Sequence, residues 1–356
     1  MWRRRLAARL PVLAKAEGVT GGEAYTVDDW WAIVGPSPRP IAAAVDQTPH
    51  DKTRRLAEPE TLGDVRLVPG GQLFVEYDRS EPLALDGIIE HESWPILVEG
   101  TTGAEVHLEH DVATATRVVR AAVLLSVTWK EPWVVRSAPF RSQAKPPRVP
   151  ESWPPPPDEI FDPPLAPRLI ADNPDAYPPS RLPTWMGDAW TLLEQDARIW
   201  NAALTWHEGL VLQARHPSFA VVAYVSAVEA LSQSPRALDS LGITIASDAG
   251  SRARVSTTLG AVMSGDNVKR LINSIYDSRS KTAHAAGLLG FEASLGAMSP
   301  LTIKFHEIDG VITPVLHGDP DDDVYEFLSG VVRPLAIAAH ALIFRVLAPG
   351  ASFDGN

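Results

Sequence analysis

The stretch LINSIYDSRSKTAHAAG, Leu271 to Gly287, organises the chain. Leu271, Ile272, Ile275 and Ala283 recur at the spacing of one helix side, and Tyr276 extends it. Asp266 or Asn267 supplies the start signal. Ser280 and His284 are four residues apart and share a face. Arg279 and His284 are five apart, so on a straight helix they diverge by about 140°. They converge on one group only where the helix ends or bends near Lys281, or where a second copy of the chain faces it. A guanidinium beside an imidazole suits a phosphate. Arginine forks onto the oxygens, and histidine moves a proton near neutral pH. A second Arg-to-His spacing, Arg333 to His340 in RPLAIAAH, reads as structural because Pro334 follows its arginine directly.

Upstream, Trp185 to His216 reads as one long helix, with Trp190, Leu193, Ala197, Trp200, Leu204 and Val211 at helical spacing. His207-Glu208 opens like a zinc HExxH motif, but Val211 stands where the second histidine belongs. Ser218 is the expected cap of the next helix. Phe219 to Leu231 is apolar nearly all round, which marks a central helix. Glu229 within it requires a hydrogen bond or an ionic partner, and orienting a neighbouring arginine is its expected role. Pro235 to Asp248 reads as a loop, and Arg252 to Met263 as a further helix with Arg252 and Arg254 at its start. Leu301 to Leu316 reads as a hairpin turning at Asp309-Gly310. Asp319 or one of Asp321 to Asp323 would cap a last helix running to Leu347, bent near Pro334.

SIYDSRSKTAH resembles the Arg-x(4–6)-His motif of the HEPN superfamily, in particular its Apea-like branch. AVVAYVSAVEALSQ, with Glu229-Ala230-Leu231, resembles the central helix of that family. The resemblance covers Trp185 to Leu347. It implies an all-α up-and-down bundle that pairs through its motif helices into a homodimer. It also implies a metal-independent endoribonuclease, without cofactor, in which Arg and His of two protomers line one cleft and leave 2′,3′-cyclic phosphate ends. On that reading His284 is the general base or acid, and Arg279 stabilises the phosphorane charge. Ser280 donates to a phosphate oxygen or orients His284. Lys281 and Tyr276 bind substrate, and Glu229 supports the arginine. The substrate would be RNA, transfer RNA among the candidates, with no DNA expected. Many members of the family act in phage defence or as toxins, with a fused sensing domain. The rival reading is a non-catalytic dimeric helical scaffold, in which Arg279 pairs with Glu229 or Asp277 and His284 caps a helix end.

The remaining chain is expected to be α+β and two-domain, with a β-rich half over 1–144 as the sensor, a Pro-rich linker over 145–184, and the helical bundle with its inserted hairpin over 185–350. Thr26 reads as the cap of a helix starting VDDWWAIV, with Trp30 and Trp31 in the core. DVRLV, QLFVEYD, GIIEH, WPILVEG and AEVHLEH, between Asp64 and His110, read as short strands parted by turn residues. His91, His107 and His110 lie here among Glu90, Glu92, Glu109 and Asp111, at spacings that match no metal-ligand motif. Ala113 to Trp129 reads as a buried or amphipathic helix, and PWVVRSAPF as a final strand. Lys145 to Thr184 holds 14 of the 32 prolines, a stiff spacer.

The chain has 356 residues and no cysteine, which excludes disulfides, thiolate metal sites and cysteine nucleophiles. Its net charge of −12 excludes broad electrostatic attraction to nucleic acid but leaves room for a local cationic site. The basic start Met1-Trp-Arg-Arg-Arg-Leu is followed by no apolar run of signal-peptide length, and no stretch reads as a membrane span. A cytoplasmic protein is expected.

Overall fold

A computed structural model describes residues 29–36, 55–69, 74–77, 90–93, 95–102, 111–136, 139, 141, 179–213, 216–285, 302–308, 311–317 and 328–351. The architecture is α+β. The first half contains the strands β1 (Asp29–Pro36), β2 (Arg55–Leu56), β3 (Glu60–Leu62), β4 (Val65–Pro69), β5 (Phe74–Tyr77), β6 (Glu90–Ser93) and β7 (Ile96–Thr101). Helix α1 (Val112–Trp129) and β8 (Trp133–Val135) follow. Five of these strands form one antiparallel sheet in the order β3-β4-β7-β1-β8, and β5 pairs with β6 separately.

The expected helix at VDDWWAIV is instead β1. Its register sets Ala32 against Val98 and Val34 against Ile96, with Leu67 next to Val98. Those side chains and Trp30 are fully buried, a period of two that belongs to a strand. Trp31 on the opposite face is also buried, and that second covered face hides the alternation from the sequence. Trp30 lies opposite Gly100, where an added Cβ would come 2.5 Å from its ring. AEVHLEH, including His107 and His110, lies outside the described residues. Asp111 next to it is not a metal ligand but the N-cap of α1. Its carboxylate accepts from the Ala113 N–H at 3.1 Å and the Thr114 N–H at 3.3 Å.

The second half begins at β9 (Pro179–Ser180), which pairs with β2 in parallel. Then come α2 (Trp185–Gln195), α3 (Ala197–Gln213), α4 (Pro217–Gln233), α5 (Pro235–Leu241), α6 (Ser251–Leu259), α7 (Gly265–Ala285), the hairpin β10 (Thr302–Ile308) and β11 (Val311–His317), and α8 (Arg333–Leu347). The described residues of 185–347 are helices, their connections and that hairpin, whose strands pair from Thr302↔His317 to Ile308↔Val311, with Asp309 and Gly310 outside the described residues.

Three local expectations are corrected. The long helix over 185–216 breaks at Asp196, whose Oδ1 caps α3 by accepting from Arg198 N–H at 2.9 Å and Ile199 N–H at 3.1 Å. The cap before α4 is His216 rather than Ser218, with Pro217 in the first turn. Residues 235–241 are helical and not loop, because the Ser234 hydroxyl accepts from the Ala237 N–H while donating to Asp196 Oδ2 at 2.8 Å. At the last helix a π turn, Leu328–Val332, stands immediately before Pro334, which has no N–H to offer the carbonyl four residues back. The capping candidates Asp319 and Asp321 to Asp323 lie outside the described residues.

The two halves share one continuous hydrophobic core. Helix α1 is buried without interruption from Arg120 to Val127, because β1 and β8 cover one side and α2, α3 and α8 the other. Both α1 and the segment Gly330–Leu347 are long and apolar enough to cross a membrane, contrary to the sequence reading, and both are mostly buried inside the fold. Three polar contacts stitch this seam. Arg120 reaches from α1 to Glu194 at 2.7 Å, with its guanidinium 4.8 Å over Trp190 and 5.7 Å from Trp200. His207 Nε2 meets the Trp133 carbonyl at 2.6 Å, and His340 Nε2 donates to the Val127 carbonyl at 2.7 Å. Gly63 in the β3–β4 turn, at φ +61°, lies under the Trp190 indole so closely that a Cβ would come within 2.1 Å.

Candidate functional site

Helix α7 is amphipathic, with Val268, Leu271, Ile272 and Ile275 buried against α4, α6 and the π turn. The same helix continues without a break to Ala285. Tyr276, Arg279, Ser280, Lys281 and His284 therefore all sit on one helix, and their side chains lie outside the described residues. An unbroken helix keeps Arg279 and His284 about 140° apart. Arg279 follows Ile275 by four and Ile272 by seven, in helical register with both. Lys269, Asn273, Tyr276, Ser280 and His284 succeed one another by four, three, four and four, which places them on a second stripe.

Glu229 stands on the neighbouring α4. Its expected burial is corrected: it is half-exposed, and Ser251 Oγ donates to its Oε1. This bond ties the start of α6 to the central helix. Arg254, one turn into α6, donates to the carbonyls of Ala249 at 2.9 Å, Ser247 at 3.1 Å and Ser232 at 3.3 Å. It fixes the loop before α6 against the end of α4.

Between α6 and α7 runs an open groove of about 920 Å³. Arg252 spans it and donates from Nη2 to Asn273 Oδ1. Lys269 lies on its rim, exposed, and Val268 and Ile272 form its floor. The sequence reading singled out none of these as site residues. The available signal was the four-residue ladder from Lys269 through Asn273 toward Ser280, which the apolar stripe of the same helix obscured.

His340 and His207 have structural positions. His340, of the second Arg-to-His spacing, lies 5.0 Å from the Trp206 ring, and burial pushes its pKa down to about 4, helped by nearby Lys130 and opposed by the Val127 carbonyl. His207 is buried at the seam, and the imidazole beside Glu208 holds that carboxyl below its ordinary value although the two stand 3.8 Å apart, too far for a hydrogen bond. His91 lies on β6 with its side chain outside the described residues. Among the described residues no three His, Asp or Glu side chains gather into a metal-binding group.

The chain matches no family model, no curated protein and no solved structure.

Proposed function

We propose that the protein is a HEPN-type endoribonuclease that works as a homodimer, with its first half sensing or regulating, in phage defence or toxin-like RNA cleavage in the cytoplasm. The observation that supports this reading is the unbroken α7. It carries the whole SIYDSRSKTAH motif and sets Ser280 and His284 on the stripe that leaves the α6–α7 groove. With the helix unbroken, Arg279 and His284 of one copy face different ways, so a composite site needs two copies.

The chemistry asks only for proton transfer and charge stabilisation. The RNA 2′-hydroxyl loses its proton to the imidazole of His284, and the 2′ oxygen attacks the adjacent phosphorus. The bond from phosphorus to the 5′ oxygen breaks, and that oxygen takes a proton from an imidazolium of the dimer's two His284 side chains and departs as a 5′-hydroxyl. The other fragment keeps a 2′,3′-cyclic phosphate. Arg279 spreads its planar fork over the charged phosphorane oxygens, where electrostatic stabilisation contributes most. Ser280 donates to a phosphate oxygen, and Lys281 and Tyr276 hold the strand.

One feature favours the rival scaffold reading: Arg279 follows Ile275 by four and Ile272 by seven, in helical register with buried residues of α7. Labelled RNA incubated with purified protein and EDTA separates the two. The nuclease reading expects cyclic phosphate ends from the wild type and none from His284→Ala or Arg279→Lys. Equal degradation by wild type and His284→Ala would mark a contaminant, and intact RNA throughout would leave the scaffold.

A further inference from the structure

The α6–α7 groove has the composition of a nucleic-acid track, in a chain whose net charge of −12 opposes such binding elsewhere. Of the residues lining it, Arg252 and Lys269 are cationic and none is acidic. Both cations are exposed at the rim, and Lys269 makes no ion pair among the described residues. Between them the floor is apolar, formed by buried Val268 and Ile272 with half-buried Met263. At Gly250 and Gly265 an added Cβ would meet nothing within 4 Å, so the walls stay open to a ligand that lies along them. A cationic rim over an apolar floor fits a polyanion with exposed flat apolar faces. A single strand, whose bases are free to lie down, has both features, whereas a duplex keeps its base faces stacked inside.

The groove also has a direction. Lys269 and Asn273 on its wall begin the stripe that continues through Tyr276 and Ser280 to His284, about 22 Å further along α7. We infer that this groove binds single-stranded RNA next to the point of cleavage, with Arg252 and Lys269 taking consecutive phosphates and Asn273 held by Arg252 as part of the wall. The inference rests on the endoribonuclease reading and assigns that site its substrate form.

The test uses the full chain carrying His284→Ala, so that the probe survives. A fluorescein-labelled oligouridine of a dozen nucleotides is titrated by anisotropy over a range of salt. Arg252→Glu with Lys269→Glu is expected to weaken binding at least tenfold. The milder Arg252→Gln with Lys269→Gln should flatten the log–log salt dependence by roughly 1.4, at about 0.7 for each lost phosphate contact with a single strand. Arg236→Glu, an exposed cation on α5 away from the groove, should bind as the parent does. On the cleaving protein the Gln pair should raise KM and leave kcat in place. If both paired variants bind like the parent while the wild type still cuts RNA, the groove assignment falls and the nuclease reading stands. A duplex bound as tightly as the single strand also overturns the assignment. If the wild type neither binds nor cuts, both readings fall together.

Discussion

The seam around α1 and the motif helix α7 use the same residue types for opposite purposes. At the seam, Arg120 is almost fully covered, stacked on two tryptophans and paired with Glu194. His207 and His340 are buried with a ring nitrogen on a backbone carbonyl of the first half. Their chemistry is spent on holding a position. Along α7, Lys269 and Arg270 are exposed, and the ladder toward His284 starts from an open groove. A burial-depressed histidine pKa and a two-tryptophan arginine cage are costly to solvate again, so the seam reports on stability. Groups on an open helix face are inexpensive to alter and report on binding or catalysis.

That contrast is open to direct attack. Trp190→Ala should have the largest effect, a loss of about 3–5 kcal/mol in chemical denaturation, since a fully buried indole is removed from beneath Arg120 and above Gly63. A much smaller loss would mean that the halves do not depend on this contact. His284→Ala should lower RNA cleavage by 10²–10⁴-fold, about 3–5 kcal/mol of transition-state stabilisation, with stability unchanged within about 0.5 kcal/mol. A variant of this residue that melted early would place it with the seam instead.

Acid should act on the seam next. His340 must stay neutral in the fold, and its pKa is about 4 against 6.5 when unfolded. Its contribution is fully present above pH 6.5 and is lost as pH falls from there toward 4, by about 3 kcal/mol at 1.36 kcal/mol per pH unit. His340→Gln should flatten that part of the stability profile. If His284 starts as the neutral base, cleavage should fall below about pH 6, and on the mild side of pH 5 the loss should come without unfolding. The smallest effect is expected at Arg66, whose guanidinium stands 3.9 Å from Glu99 with 59% of its side chain exposed. Arg66→Ala should shift stability by less than about 1 kcal/mol, as exposed pairs do.

The sequence was most legible where one local rule decided the outcome. The expected hairpin appears as β10 paired with β11, and the runs DVRLV and WPILVEG appear as β4 and β7. The central helix α4 followed from continuous apolarity, and the motif fell on a helix as its apolar spacing required. It was illegible where the decision was tertiary. Helix-start signals at Thr26 and Asp28 precede β1, and only pairing with β7 along Trp30 and Trp31, with β8 joining at Val34 to Pro36, makes the segment a strand. Helix α5 is too short for periodicity to show and depends on Ser234, itself held by Asp196 from another helix. The groove could not be read because Arg252 and Lys269 are far apart in local pattern and meet only through the packing of α6 on α7. His207 and His340 could be rejected as metal or catalytic candidates, but their partners, backbone carbonyls 74 and 213 residues away, leave no trace in local sequence.

The 213-residue interval between Val127 and His340 also sets a timetable. At about 5–20 residues per second of synthesis, α1 leaves the ribosome roughly 10–40 s before the helix that covers it. For that time the nascent chain presents an apolar helix of transmembrane length that still lacks the last of the helices packed on it. Ribosome-bound chains stalled before residue 333 should therefore be held by chaperones or by membrane, and release should follow only once α8 has been made.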